Sequence, residues 1–332
     1  EYICNMFSDI LKEGYCGAMI FSWQDEWFKQ TWNTVKYSPE EASKRTPNVQ
    51  SAEQSYGILA MEPGESTMCY PDGDVSEWKE SKVIYSTSNY DLYAKYDEAY
   101  LYLYINQKNG ASFEEEKIYL PISTIGLGST KAEAFGLEFQ SPADFLLVLD
   151  GKENTRLLTD AYYDLFHYVY AVQKGVFGQK EEFKEKNAGI YNVINMFISN
   201  EMVLPQTGKV IAPDYYESGK LVYGNANPDL EEFATNADFY SKGNVIEIRI
   251  PWYLLNVSNA AEQMAIADFY QNGEITFTEI EKILVGIHSM EQTKTPMVSI
   301  EYNGLESSSY HTRLKKSYDM IKKFLSENKF RN

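Results

Sequence analysis

The clearest pattern in the chain lies over residues 89–107. Tyr90, Leu92 and Tyr96 recur at every second position with Ala94 between them, while Asp91 and Lys95 face the other way, the alternation of a half-buried strand. Asp97 and Glu98 make a short polar turn. Beyond it Leu101, Leu103 and Ile105 fall on one face and Tyr100, Tyr102 and Tyr104 on the other. Two such runs predict an antiparallel hairpin, the nucleus of an all-β domain.

Residues 1–13 place Ile3, Met6, Phe7, Ile10 and Leu11 at helical spacing, with Gly14 as the stop. The continuous apolar run 17–23 then reads as a parallel strand covered on both faces, so that helix and strand make half of an αβ unit. Over 34–65 the composition turns to Pro, Ser, Glu, Asn and Gln around an apolar island at 58–61, an ordered surface linker ending near Pro63 and Gly64. Strands are expected over 117–122, 134–140 and 145–149, the last apolar throughout and therefore central, with 154–159 as its hairpin partner. In 245–252, Glu247 and Arg249 share one face and Ile246, Ile248 and Ile250 the other, and Pro251 ends the strand or marks an edge. The last strands fall over 264–269, 283–288 and 297–302. From 310 to 328 the period becomes helical, with Leu314, Tyr318, Ile321 and Leu325 in a stripe and lysines around them. This basic helix is expected to dock on its own acidic domain.

The ring-rich segment 162–170 alternates Tyr162, Asp164, Phe166, Tyr168 and Tyr170 against Tyr163, Leu165, His167 and Val169. Sugars lie with their C–H faces on aromatic rings and are oriented by carboxylates and amides, so Tyr162, Asp164, Tyr168 and Tyr170 are candidates for a stacking platform. The commoner use of such a stripe is core packing.

At 332 residues and 44% apolar content the chain can build a large core, with room for two domains. No window approaches the roughly 18 uninterrupted apolar residues of a membrane span. Thirty basic against 48 acidic residues give a net charge of −18, which repels a phosphate backbone, argues against nucleic acid, and disfavours acidic polysaccharide. Cys4, Cys16 and Cys69 have no CxxC spacing and indicate neither zinc nor a disulfide framework. His167, His288 and His311 form no i, i+4 pair and sit in no GxSxG or HExxH pattern, and no glycine-rich phosphate loop is present. Asp72, Asp74 and Glu77, grouped where the first strand is entered, offer hard oxygens that suit calcium; a solvated turn is the ordinary use of such a group. Starting at Glu1 with no initiator Met or signal sequence, the chain is expected to be part of a longer protein.

An Asp72-Gly73-Asp74 turn ahead of Trp78, the alternating strand, the Asp97-Glu98 turn and the strand reading AYLYLYI together resemble the opening of family 9 carbohydrate-binding modules and the wider DOMON-like group of β-sandwiches. Residues 245–252 with Leu254 and Leu255 resemble that group's closing strand. The resemblance implies a mainly β fold, an antiparallel sandwich over 67–305, in which Trp78 and Trp252 look like core residues. It says less about ligand, since members bind sugars, haem or nothing known. A haem would need Met68, Met264 or Met290 opposite His167 or His288, and no spacing fixes such a pair. The middle stretch 188–235 exceeds the family pattern.

The run GAMIFSWQDEWFKQTWNT resembles the last strand and loop of a glycoside-hydrolase (β/α)8 barrel. That implies sugar-lining roles for Trp23 and Trp27, with Asp25 and Glu26 on the rim. The catalytic carboxylates of such barrels come from strands that would precede Glu1, and neighbours on an extended segment point to opposite sides. Asp25 and Glu26 are thus weak catalytic candidates, better read as rim carboxylates near Lys29. The expected organisation is a barrel remnant over 1–36, a linker over 37–66, the sandwich over 67–305 and a terminal helix over 306–332. The expected function is a non-catalytic carbohydrate-binding or accessory domain of an extracellular or cell-surface, glycoside-hydrolase-like protein. Its partners would be a poly- or oligosaccharide and an upstream barrel in the same polypeptide, and calcium is the one candidate cofactor. The alternatives are part of a working glycosidase whose barrel lies upstream, or a spacer without ligand.

Overall fold

The computed structural model describes residues 2–26, 29, 33–35, 52–108, 113–176, 183–234, 236–305 and 309–328. Over these the chain is mainly β, with antiparallel sheets and a helix near its end.

The expected hairpin forms, Tyr90–Tyr96 pairing with Tyr100–Gln107 so that Leu92 lies opposite Ile105. Its turn is closed by one side chain. Asp97 Oδ1 accepts the backbone N–H groups of Ala99 and Tyr100, each at 2.9 Å, and Oδ2 accepts the Tyr102 hydroxyl at 2.7 Å, an Asx turn that lets a carboxylate be buried. On the other side of Tyr100–Gln107 runs Val245–Pro251, with Ile248 opposite Leu103 and Arg249 opposite Tyr102. Phe239–Lys242 and Tyr85–Ser86 complete a five-stranded sheet. Alternation sorts the side chains as expected: Leu101, Leu103, Ile105, Ile246, Ile248 and Ile250 enter the main core, and Tyr102 and Tyr104 pack on the opposite face.

A six-stranded antiparallel sheet runs Tyr191–Val193, Arg156–Asp160, Phe145–Leu149, Ile118–Ser123, Ile283–Val285 and Val298–Ile300. All five residues of Phe145–Leu149 are buried. Phe145, Leu147 and Leu149 enter the main core, while Leu146 and Val148 join a second cluster with Phe139 and Leu158, so the apolar run is covered on both faces. The main core takes side chains from both sheets, and each large one fully removed from water stabilises the fold by roughly 1.5–3 kcal/mol.

Three expectations are corrected. Within the stretch read as linker, Leu59–Pro63 is a strand, and it pairs antiparallel with Tyr310–Leu314, a segment read as helix. The partners come from opposite ends of the chain, and local periodicity carries no sign of such a pairing. The terminal helix therefore begins only at Lys316; it buries Ile321 and sets Phe324 edge-on against Phe7 of the N-terminal helix Tyr2–Lys12, ring centroids 6.3 Å apart. Docking on its own chain is thereby met.

The run 17–23 is not a buried strand. Met19, Phe21 and Trp23 are exposed, and the nearest approach to a sheet is a single parallel bridge from Gln24 to Leu59. An apolar run is buried only where neighbours cover it, and among the described residues none flank it on both faces.

Residues 162–170 do not alternate as a strand. They form a 3₁₀ turn, Ala161–Tyr163, and a π-helical stretch, His167–Gln173. Two aspartates start these turns: Asp160 Oδ1 accepts the Tyr162 N–H at 2.9 Å and Asp164 Oδ1 the His167 N–H at 3.0 Å. Side-chain capping of this kind diverts a chain from the ladder.

Candidate functional site

The outer face of the five-stranded sheet does not meet solvent directly near Arg249. The strand pair Leu59–Pro63 and Tyr310–Leu314, the first turn of the terminal helix and the loop 226–233 border a half-open cavity of about 400 Å³ there, within the usual range for small-ligand sites. Tyr70, Tyr100 and Phe233 contribute half-buried rings to its wall. Four cations line it, Arg249, Arg313, Lys315 and Lys316, against two carboxylates, Asp25 and Glu62.

The charges are held in two different ways. Glu62 takes a two-pronged contact from Arg313, through Nε at 3.0 Å and through Nη2, and accepts the Tyr70 hydroxyl at 3.3 Å. Burial pushes the Glu62 carboxyl up, but the Arg313 hydrogen bonds and charge leave it below the usual carboxylate range. Asp25 Oδ1 accepts Lys315 Nζ at 2.6 Å and the Gly57 N–H at 3.0 Å. These two ion pairs are neutral overall. Arg249 instead donates Nε to the Ala237 carbonyl at 2.9 Å and stacks 5.0 Å from the centroid of the Tyr100 ring. Lys316 donates to the Leu230 carbonyl at 2.7 Å and sits 5.7 Å from the Phe233 ring. Rings and carbonyls orient a cation without cancelling its charge.

Further along the same face, opposite Tyr104, Glu247 is fully buried. Its Oε1 accepts the Trp78 indole N–H at 2.7 Å, and its Oε2 accepts the N–H groups of Gly73 at 2.7 Å and Asp72 at 3.2 Å. This carboxylate anchors the Asp72-Gly73-Asp74 turn to the sheet. Gly73 has φ +84°, and a Cβ there would lie 2.8 Å from Cβ of Lys242, so the close approach requires glycine. Cys69 Sγ, Glu77 and Glu247 bring ligand atoms within 4.8 Å of one another. Burial, then nearby carboxylates, pushes Glu77 up to about 7, and burial likewise pushes Glu247 to about 7. The Cys69 thiol is pushed up as well, by burial and then by Glu247. The set can therefore hold a proton near neutrality, while the protonated sulfur is a poor ligand.

The residues nominated from the sequence separate widely. Tyr162, Asp164, Tyr168 and Tyr170 are all buried: Tyr168 stacks on Phe269 at 4.5 Å, Tyr170 stacks on Phe197 at 4.6 Å, and the Tyr162 hydroxyl is bound by Asp268. They offer no open face, and their rings belong to the interior. Trp23 is 58% exposed and meets Tyr318 of the terminal helix edge-on at 6.4 Å. Trp27 lies outside the described residues. Asp25 reaches the cavity but is paired with Lys315, and Glu26 pairs with Lys29 at 2.8 Å, the partner expected of it. Asp72 Oδ1 accepts the Asp74 N–H at 2.7 Å, Asp72 Oδ2 accepts Asn227 Nδ2 at 2.7 Å, and Asp74 Oδ1 caps the Ser76 N–H at 2.9 Å. Among the described residues Glu77 groups with Cys69 and Glu247, not with Asp72 and Asp74. Trp78 and Trp252 are core residues, Trp252 donating to the Asp97 carbonyl at 2.8 Å.

Sequence reasoning placed Arg249 beside Glu247 on the outer face but gave it no role, and it missed Glu62, Tyr70, Tyr100 and Phe233. One signal was present: two charges at alternate positions in an otherwise apolar strand, Val245–Pro251, imply that the outer face is covered by something polar.

Comparison with known proteins finds no matching family model, no matching curated protein and no matching solved structure.

Proposed function

We propose that this chain is a non-catalytic carbohydrate-binding accessory domain: a β-sandwich of the family 9 carbohydrate-binding type following the end of a glycoside-hydrolase-like barrel in an extracellular or cell-surface protein. Two antiparallel sheets that share one apolar cluster support the sandwich. The observation that carries the binding claim is the cavity of about 400 Å³ on the outer face, where the rings of Tyr70, Tyr100 and Phe233 stand beside fixed polar groups. Rings give contact area to sugar C–H faces, and charged or hydroxyl groups at the wall set orientation. Because Asp25 and Glu62 are each tied to a cation, neither is positioned as a free acid or base, and binding rather than cleavage is the role assigned.

Isothermal titration of the full chain against cello-, xylo-, manno- and cell-wall oligosaccharides tests this reading. Micromolar to millimolar affinity for one class is expected, lost in Tyr100→Ala and kept in Tyr100→Phe, with each variant shown to be folded by circular dichroism at the temperature of the titration. No heat with any member of the panel removes the carbohydrate assignment.

A further inference from the structure

The cavity is locally basic in a chain of net charge −18. Of its four cations, Arg313 and Lys315 are matched one to one by Glu62 and Asp25. Arg249 and Lys316 are not matched within the wall: each is held by a backbone carbonyl and faces an aromatic ring. Asp238 acts on Arg249 electrostatically from outside the cavity wall, with no ion pair between the two among the described residues, and its carboxylate accepts the Val222 N–H at 2.8 Å. Resting on the carbohydrate reading above, we infer that the cavity selects a sugar carrying a carboxylate at the end of a short neutral oligosaccharide, with Arg249 and Lys316 meeting the acid and Tyr100 and Phe233 the ring.

Three considerations favour this ligand class. A planar guanidinium already oriented by Tyr100 and Ala237 presents its remaining N–H donors at little further entropic loss, the arrangement that suits a carboxylate. A half-open cavity of about 400 Å³ holds only a short sugar segment, and an acidic end group placed there meets Arg249 and Lys316 together. The acidic surface elsewhere repels long polyanions while the wall attracts a single terminal charge. The local and global charges therefore filter in the same direction, towards one acidic residue on a neutral chain.

The test compares a glucuronic-acid-terminated disaccharide with its neutral glucose-terminated counterpart on the full chain at low and at physiological salt, with acetate and inorganic phosphate as competitors. The acidic sugar is expected to bind at least about tenfold more tightly, the scale of one charge-assisted hydrogen bond, with the preference reduced by salt. Lys316→Gln, at an exposed position, is expected to cut that preference several-fold with unchanged melting temperature. Arg249→Gln is expected to remove it. Equal binding of the two sugars overturns the acid selectivity and leaves the carbohydrate reading standing. Absence of binding by both overturns the two together, and competition by acetate or phosphate at the affinity of the acidic sugar overturns the sugar part.

Discussion

Trp78 donates its indole N–H to Glu247 Oε1 at 2.7 Å, joining the turn ahead of the hairpin 90–107 to the strand Val245–Pro251. Both groups are buried, and Lys95 Nζ lies 4.6 Å from the Trp78 ring. An acceptor buried away from water cannot replace a lost donor with solvent, so Trp78→Phe leaves Oε1 facing only the weak Cys69 thiol at 3.9 Å. The expected cost is about 1–3 kcal/mol, read as a lower urea midpoint at constant m-value. A change below about 0.5 kcal/mol would show that the ring, and not its N–H, is what the site uses.

The same cluster sets a pH dependence. Glu247 and Glu77 rise from 4.5 to about 7 on folding, so between these values the folded state holds protons that the unfolded chain has released. Their stabilisation is complete below about pH 4.5 and is lost as pH rises through 7. Glu62 runs the other way, since its folded value is lowered and its contribution fades in acid. Comparing Glu247→Gln with the parent isolates the first effect: the deficit of the variant is expected to shrink from pH 5 to about pH 7 and to level off above it in urea melts. A deficit independent of pH would mean that Glu247 does not titrate in that window.

Calcium is expected to leave the melting temperature unchanged to within about 1 °C at millimolar concentration. Both oxygens of Asp72 and one of Asp74 already accept hydrogen bonds from Asn227 and from their own turn. A site filled at a hundred times its dissociation constant would add about 2.7 kcal/mol, a shift that calorimetry resolves easily. A rise of several degrees with calcium, reversed by chelator, would show that these carboxylates reorganise around the ion.

Much of the sheet structure was legible because its signals are local. Alternation in 90–105 and 245–250 sorted Leu103 from Tyr102 and Ile248 from Arg249, and the unbroken run 145–149 announced a strand covered twice. The cavity was not legible. Its roof pairs Leu59–Pro63 with Tyr310–Leu314, and neither segment carries a mark of the other, so Glu62 read as linker polarity and Arg313 as a helix face. The ring-rich segment 162–170 misled for a different reason: its composition satisfied the strand period, while Asp160 and Asp164 were in position to cap turns and sent the rings inward.

A second device hidden from pattern reading is Asp144, which is fully buried and, among the described residues, is held by backbone N–H and hydroxyl donors and by no lysine or arginine. Its Oδ2 accepts the N–H groups of Thr124, Ile125 and Gly126 at 2.8, 2.9 and 3.0 Å, and its Oδ1 those of Leu127 and Gly128 at 2.6 and 2.8 Å. A concave run of amides replaces a counter-ion, so one carboxylate fixes the whole loop leaving the strand Ile118–Ser123. Gly128 belongs to the same arrangement, since a Cβ there would fall 1.8 Å from the Ala143 carbonyl oxygen. In Asp144→Asn an amide NH₂ must face backbone donors, which strands at least two of them in a site closed to water. The expected loss is about 3 kcal/mol or more. By contrast Asp150→Asn, which breaks only the partly exposed pair with Lys117 at 2.8 Å, is expected to cost under about 1 kcal/mol. Chemical denaturation of the two variants side by side checks this: equal losses would show that the loop 123–128 is held by its packing and not by the buried charge.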